Sequence, residues 1–171
     1  KDTVDNLLKT VDKLLKSFEN GRIFKEGVNT VIVGKPNVGK SSLLNILVGR
    51  ERAIVTDVAG TTRDVIEEQI NLNGVTLNIM DTAGIHDTDD CVERIGVERA
   101  RKAAAEADLV IYVMDATREP DGEDEAIMEL LLGKQALVLL NKSDLRVVLT
   151  PEKIKSKINK QIISVSAKDL T

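Results

Sequence analysis

The run Gly34-Lys35-Pro36-Asn37-Val38-Gly39-Lys40-Ser41 limits what this chain can fold into more than any other feature. It lies between Val28–Val33, a short apolar run rich in β-branched residues, and a segment to about Gly49 that reads as a helix. A strand that feeds a helix through G-x-x-x-x-G-K-[ST] is a phosphate cradle. Its glycines let backbone N–H groups turn inward around phosphate oxygens, and the helix N-terminus adds partial positive charge at the same place. Lys40 then reaches the β- and γ-phosphates and Ser41 offers its hydroxyl oxygen to Mg²⁺, with Gly34, Asn37, Val38, Gly39 and Ser42 as the other phosphate-binding positions.

The remaining pattern alternates strands and helices. Ile66–Leu72 and Val75–Met80 flank Asn73-Gly74, a type I′ hairpin signal. Arg94–Glu106, Glu123–Leu132 and Pro151–Ile158 read as helices, and Leu109–Met114, Ala136–Leu140 and Ile162–Val165 as strands, the first two buried on both faces. This predicts an α/β P-loop fold: a six-stranded, mostly parallel sheet with one antiparallel strand and helices on both faces. Ahead of it, Val4, Leu7, Leu8, Val11, Leu14, Leu15 and Phe18 form one apolar stripe of a helix that ends at Asn20-Gly21. That stripe needs a partner, either this domain or a neighbouring one. Residues 1–27 therefore read as a helix and connector, and residues 28–171 as the nucleotide domain. The chain stops just after Ser166-Ala167-Lys168, where a further helix is expected to cover the sheet, so it reads as a piece of something larger.

Composition excludes several classes of function. Aromatic residues make up 2% of the chain and the net charge is −4, so neither a stacking platform nor a general basic footprint for nucleic acid is present. A single cysteine, Cys91, rules out an intrachain disulfide and a cysteine metal site, and suits a reducing, cytoplasmic setting. No apolar run approaches the ~20 residues of a membrane span.

Two further motifs lie at strand ends. Asp81-Thr82-Ala83-Gly84 follows Val75–Met80, 41 positions after Lys40 (81 − 40). Asp81 there can hold Mg²⁺ through water, and the Gly84 N–H can meet the γ-phosphate. Between cradle and Asp81 lies Gly60-Thr61-Thr62-Arg63-Asp64, where either threonine can complete the metal shell. Asn141-Lys142-Ser143-Asp144 follows Ala136–Leu140. A carboxylate at Asp144 accepts from the two N–H donors on guanine's edge, which adenine lacks, so the motif implies GTP rather than ATP. Asn141 would tie loop and base together, the Lys142 stem would cover the base, and the Ala167 N–H of Ser166-Ala167-Lys168 would meet the guanine carbonyl.

With these motifs the chain resembles the G domain of the MnmE (TrmE) tRNA-modification GTPase family, in the Era/MnmE/Der branch of P-loop GTPases. The resemblance spans nearly the whole chain, and Val92–Ala100 carries it most specifically. It implies that Glu93 orients the attacking water, since Ile85 stands where a Ras-like protein has glutamine. It also implies a K⁺ ion held by the Asn37 side chain and by backbone carbonyls at Thr56, Val58 and Thr61, with Thr62 as the Mg²⁺-sensing threonine. Further implied are GTP/GDP as ligands and a G-domain homodimer in the GTP or transition state. A flavin-dependent partner protein and a folate-binding domain would complete a complex that modifies wobble uridine, with tRNA contacted by the whole complex and no membrane involved. The leading helix fits this family, whose G domain is inserted in a helical domain. A ribosome-assembly GTPase of the Der or Era type, or a GTP-binding module that does not hydrolyse, remains an alternative.

Overall fold

The computed structural model describes residues 6, 9–11, 13, 26–50, 66–72, 74–80 and 101–168. Among them β1 (Val28–Val33), α1 (Lys40–Arg50), β2 (Ile66–Leu72), β3 (Val75–Met80), β4 (Leu109–Asp115), α2 (Gly122–Leu130), β5 (Ala136–Asn141), α3 (Pro151–Lys155) and β6 (Gln161–Ser164) follow in chain order. Residues 101–106 are helical, within the expected Arg94–Glu106 helix. The six strands form one sheet in the order β2-β3-β1-β4-β5-β6. Only β2 runs antiparallel, pairing with β3 from Ile66↔Met80 to Leu72↔Val75 across a bulge between Ile66 and Glu68.

The sheet's two faces bury separate cores. On one face Leu43 and Leu47 of α1 pack with Ile32, Leu77, Ile111, Leu139 and Ile163. Their spacing of four puts both leucines on the same side of the helix. On the other face, Ile127 and Met128 of α2, Ile154 of α3, and Ala104 meet Val31, Tyr112 and Val138. Helices therefore cover both sides, as expected. β4 and β5 are buried on both faces because they lie in the sheet interior, which explains their continuous apolar sequence. Of the leading stripe, Val11 is described and joins the first core, while Asn6, Lys9 and Lys13 are exposed. The Thr10 hydroxyl beside Val11 accepts from Gln161 Nε2 at 3.2 Å, so this turn docks on the present domain.

Several bounds differ from expectation, each for a local reason. β4 and β5 run one residue further, to Asp115 and Asn141, because these two residues still pair in register. α2 begins at Gly122 and ends at Leu130, short of the expected Leu132: Leu131 is its cap and Gly133 takes φ +74. α3 ends at Lys155, capped by Ser156, although Ile158 still donates to the Ile154 carbonyl at 3.0 Å. β6 is Gln161–Ser164 rather than Ile162–Val165, with Val165 N–H donating to Leu140 O at 2.9 Å. Asn73, residues 94–100, and the stripe residues other than Val11 lie outside the described residues.

Candidate functional site: a phosphate cradle joined to a base reader

The cradle is shaped by backbone that only glycine fits. A Cβ on Gly34 would sit 2.3 Å from the Val113 carbonyl of β4. At Gly39, with φ +98, it would sit 2.1 Å from Asn141 Nδ2. Asn37 stands exposed at the loop's tip with φ +60, a left-handed conformation that asparagine tolerates better than most residues. The loop ends directly in α1, whose first turn carries no acidic side chain. The positive end of that helix therefore faces the cradle unneutralised. α2 is built the other way, with Glu123, Asp124 and Glu125 in its first turn.

Lys40 is nearly buried, and its ammonium donates across the loop to the Lys35 carbonyl at 2.6 Å. Ser41 is half-buried on the first turn of α1, and Ser42 beside it is exposed. The Lys35 side chain points away from the cradle to Asp121, with Glu123 at 3.5 Å and Asp124 at 3.8 Å. Asp121 also caps α2, accepting from Glu123 N–H at 3.1 Å and Asp124 N–H at 3.3 Å. The Lys35 ammonium holds its carboxyl well below the usual carboxylate range. Below this pair, the Tyr112 hydroxyl donates to buried Asp124 at 2.9 Å.

Asn141 joins the cradle to the reader. Its Nδ2 donates to the Val38 carbonyl at 2.7 Å, and its Oδ1 accepts from Ala167 N–H at 2.9 Å. One buried amide thus links the phosphate loop with the segment after β6. The Ala167 N–H, expected to meet guanine, is donated here to Asn141. Ser166 Oγ donates to Asp144 Oδ1 at 2.8 Å and orients that carboxylate, which stays exposed. Ser143 N–H donates to Val165 O at 3.1 Å, tying the two reader segments along their backbones. Lys142 takes φ +66 and its ammonium meets Asp115 at 2.6 Å; Lys168 is exposed. The structure therefore assembles Gly34–Ser42, Asn141–Asp144 and Ser166–Lys168 at the C-terminal ends of β1, β5 and β6, where ligands of open α/β sheets sit. Thr56, Val58, Thr61, Thr62, Asp81, Gly84, Ile85 and Glu93 lie outside the described residues. Sequence reasoning missed Asp115 and Asp121, which carry no motif; an acid at the end of the strand beside β5 is the one signal that marks Asp115.

The donor chemistry near Ser41 fits Mg²⁺, a hard cation that takes hydroxyl, carboxylate, water and phosphate oxygens. No group of three His, Cys, Asp or Glu stands together among the described residues; of the expected Mg²⁺ ligands, only Ser41 lies among them.

Cradle, guanine-type reader and sheet order define a P-loop GTPase G domain. A family model described as "50S ribosome-binding GTPase" matches residues 29–142. The tRNA modification GTPase MnmE of Lachnoclostridium phytofermentans is 53% identical over all 171 residues, which make up 37% of that protein. The protein of the same name from Clostridioides difficile is 54% identical over 98% of the chain and 37% of its own length. The chain thus spans little more than a third of these relatives. Among solved structures, the G domain of the T. maritima FeoB iron transporter aligns with a TM-score of 0.57 at 23% identity, covering 83% of this chain and 89% of that one. Elongation factor SelB of Methanococcus maripaludis, in complex with GppNHp, gives 0.54 at 21% identity over 84% of this chain and 30% of its own. These two likenesses carry the fold alone. The chain belongs to the ribosome-binding GTPase family, and within it is a G domain of the MnmE type.

Proposed function

We propose that this domain hydrolyses GTP to GDP and phosphate as the conformational drive of a tRNA wobble-uridine modification complex. The observation that supports the reading most is the Asn141 bridge, which, from the same loop that carries Asp144, ties the phosphate loop at Val38 to the segment after β6 at Ala167. The two MnmE relatives, at 53% and 54% identity, support tRNA modification over ribosome assembly.

In this reading the cradle N–H groups and Lys40 bind the phosphates, and moving the Lys40 ammonium from the Lys35 carbonyl to phosphate couples binding to the loop's shape. Asp144, oriented by Ser166, accepts from the guanine edge, while Lys142 covers the ring and Ala167 and Lys168 border it. Mg²⁺ would be held by Ser41, Thr62 and, through water, Asp81, with Gly84 N–H on the γ-phosphate. K⁺ would be held by Asn37 and the carbonyls of Thr56, Val58 and Thr61. When bound, the two cations neutralise charge that develops between the β- and γ-phosphates. Glu93 orients the attacking water, a task the Ile85 side chain has no polar atom to perform. Two such domains pair across their switches in the GTP or transition state, and a flavin-dependent protein completes the complex on tRNA.

Phosphate release from GTP and from xanthosine triphosphate tests the reader. Asp144→Asn should lose GTP turnover and gain it with xanthosine triphosphate; an unchanged preference refutes the assignment. KCl should stimulate release over NaCl, and equal rates remove K⁺ from the site. In the full-length protein, Glu93→Ala should abolish both phosphate release and wobble-uridine modification while GDP affinity persists. Modification that continues without turnover overturns the drive.

A further inference from the structure

Asp115 ends β4 directly opposite Asn141 of β5, and Ala116 N–H donates to the Asn141 carbonyl at 2.9 Å. The next residue along β5's chain, Lys142, therefore emerges beside the Asp115 carboxylate. Both carboxylate oxygens are committed. Oδ2 takes the Lys142 ammonium at 2.6 Å, and Oδ1 accepts from Thr117 N–H at 2.9 Å and the Thr117 hydroxyl at 2.6 Å. Its own turn thus fixes which way the acid points. The Asp115 side chain is 11% exposed and that of Lys142 32%, so the pair sits at the rim with the acid beneath and the lysine stem above. Burial alone would raise the Asp115 carboxyl, but the hydrogen bonds from Lys142 and Thr117 outweigh it and keep the group below its ordinary range.

A lysine stem has four rotatable bonds and covers a ring only if its head is anchored. Lys142 also holds a left-handed backbone, a conformation that surrounding contacts must impose. We propose that Asp115 is a positioning residue for the nucleotide: it anchors the Lys142 ammonium so that the stem lies across the face of the base. The inference rests on the reading that Lys142 covers the guanine ring. Its chemical signature differs from that of Asp144. Asp144 reads the edge and discriminates between bases, whereas an anchored stem touches the face and favours every purine alike.

The test is stopped-flow dissociation of fluorescent GDP and IDP from wild type, Asp115→Asn, Lys142→Met and the double variant. Asp115→Asn preserves size and an acceptor for Thr117 but sets an amide N–H₂, itself a donor, against the Lys142 ammonium, so the anchor is lost. It should speed dissociation of both nucleotides by about 10-fold, with the GDP/IDP ratio unchanged. In the Lys142→Met background the same change should add nothing, a result that a merely structural role for Asp115 does not give. Asp115→Glu, which keeps the charge, should recover most of the retention and covers the case in which Asp115→Asn folds poorly. An equal loss in both backgrounds, or a loss confined to GDP, overturns the proposal. If Lys142→Met slows or speeds neither nucleotide, the reading of Lys142 falls and takes this inference with it. If Lys142→Met weakens binding and Asp115→Asn does not, the anchor alone fails.

Discussion

Replacing Asn141 with Ala removes the donor to Val38 O at 2.7 Å and the acceptor of Ala167 N–H at 2.9 Å. Both bonds are buried, and each orphaned backbone group costs ~1–3 kcal/mol when no partner replaces it. With each group taken at ~1.5 kcal/mol, the combined cost is ~3 kcal/mol. For a domain of this size each kcal/mol lowers the melting temperature by ~2–4 °C, which gives a drop of roughly 9 °C without nucleotide. The assay is thermal unfolding followed by circular dichroism, with and without saturating GDP. The GDP-induced rise in melting temperature should also shrink, since the bridge joins the two halves of the site. Asn141→Asp should be worse still, because it sets an anionic oxygen against the Val38 carbonyl. A nucleotide-free melting temperature within ~1 °C of wild type would refute the reasoning, being smaller than any lost buried bond allows.

Gly39→Ala should weaken GDP binding by at least ~10-fold, since its Cβ would sit 2.1 Å from Asn141 Nδ2 at φ +98; calorimetry reads this, and an unchanged Kd contradicts it. Tyr112→Phe removes the donor to buried Asp124 and should cost ~1.5–3 kcal/mol, seen as a lower urea midpoint at constant slope. Burial and the Asp124 carboxylate push the phenol far above its usual range, so this loss should not vary across neutral pH. Asp121→Asn should cost only ~0.5–1 kcal/mol at neutral pH, because its side chain is half exposed. Since Lys35 depresses the folded-state pKa of Asp121, that contribution is present above the ordinary carboxyl value of 3.8 and disappears as pH falls through the folded one. The stability gap between variant and wild type should therefore narrow below pH 3.8, and a constant gap would count against the pair.

Much of the fold was legible in the sequence because local chemistry and tertiary position agree. β1, β2 and β3 fall where alternation, β-branching and the Asn-Gly turn place them. Glycines at 34 and 39 announce the cradle because no other residue fits against Val113 and Asn141. The end of α2 was not legible: Leu130, Leu131 and Leu132 are equally good helix formers, and only packing leaves Leu132 exposed at 66%. Of the site, the motif residues were read but their anchors were not. Asp115 meets Lys142 across 27 residues and Lys35 meets Asp121 across 86, contacts that depend on strand order and register. The sequence marks the candidate nucleotide-facing groups by type, whereas the carboxylates behind them are ordinary acids until the sheet is assembled.

The Asn141 bridge also imposes an order on the birth of the protein. It reaches back 103 residues to Val38 and forward 26 to Ala167. A nascent chain emerging from the ribosome has its phosphate loop early, at Ser41, yet no means of closing the site until β6 has joined the sheet. The closure that Asn141 makes between the phosphate loop and the segment at Ala167 therefore comes only after β6 has been made, long after the phosphate loop itself.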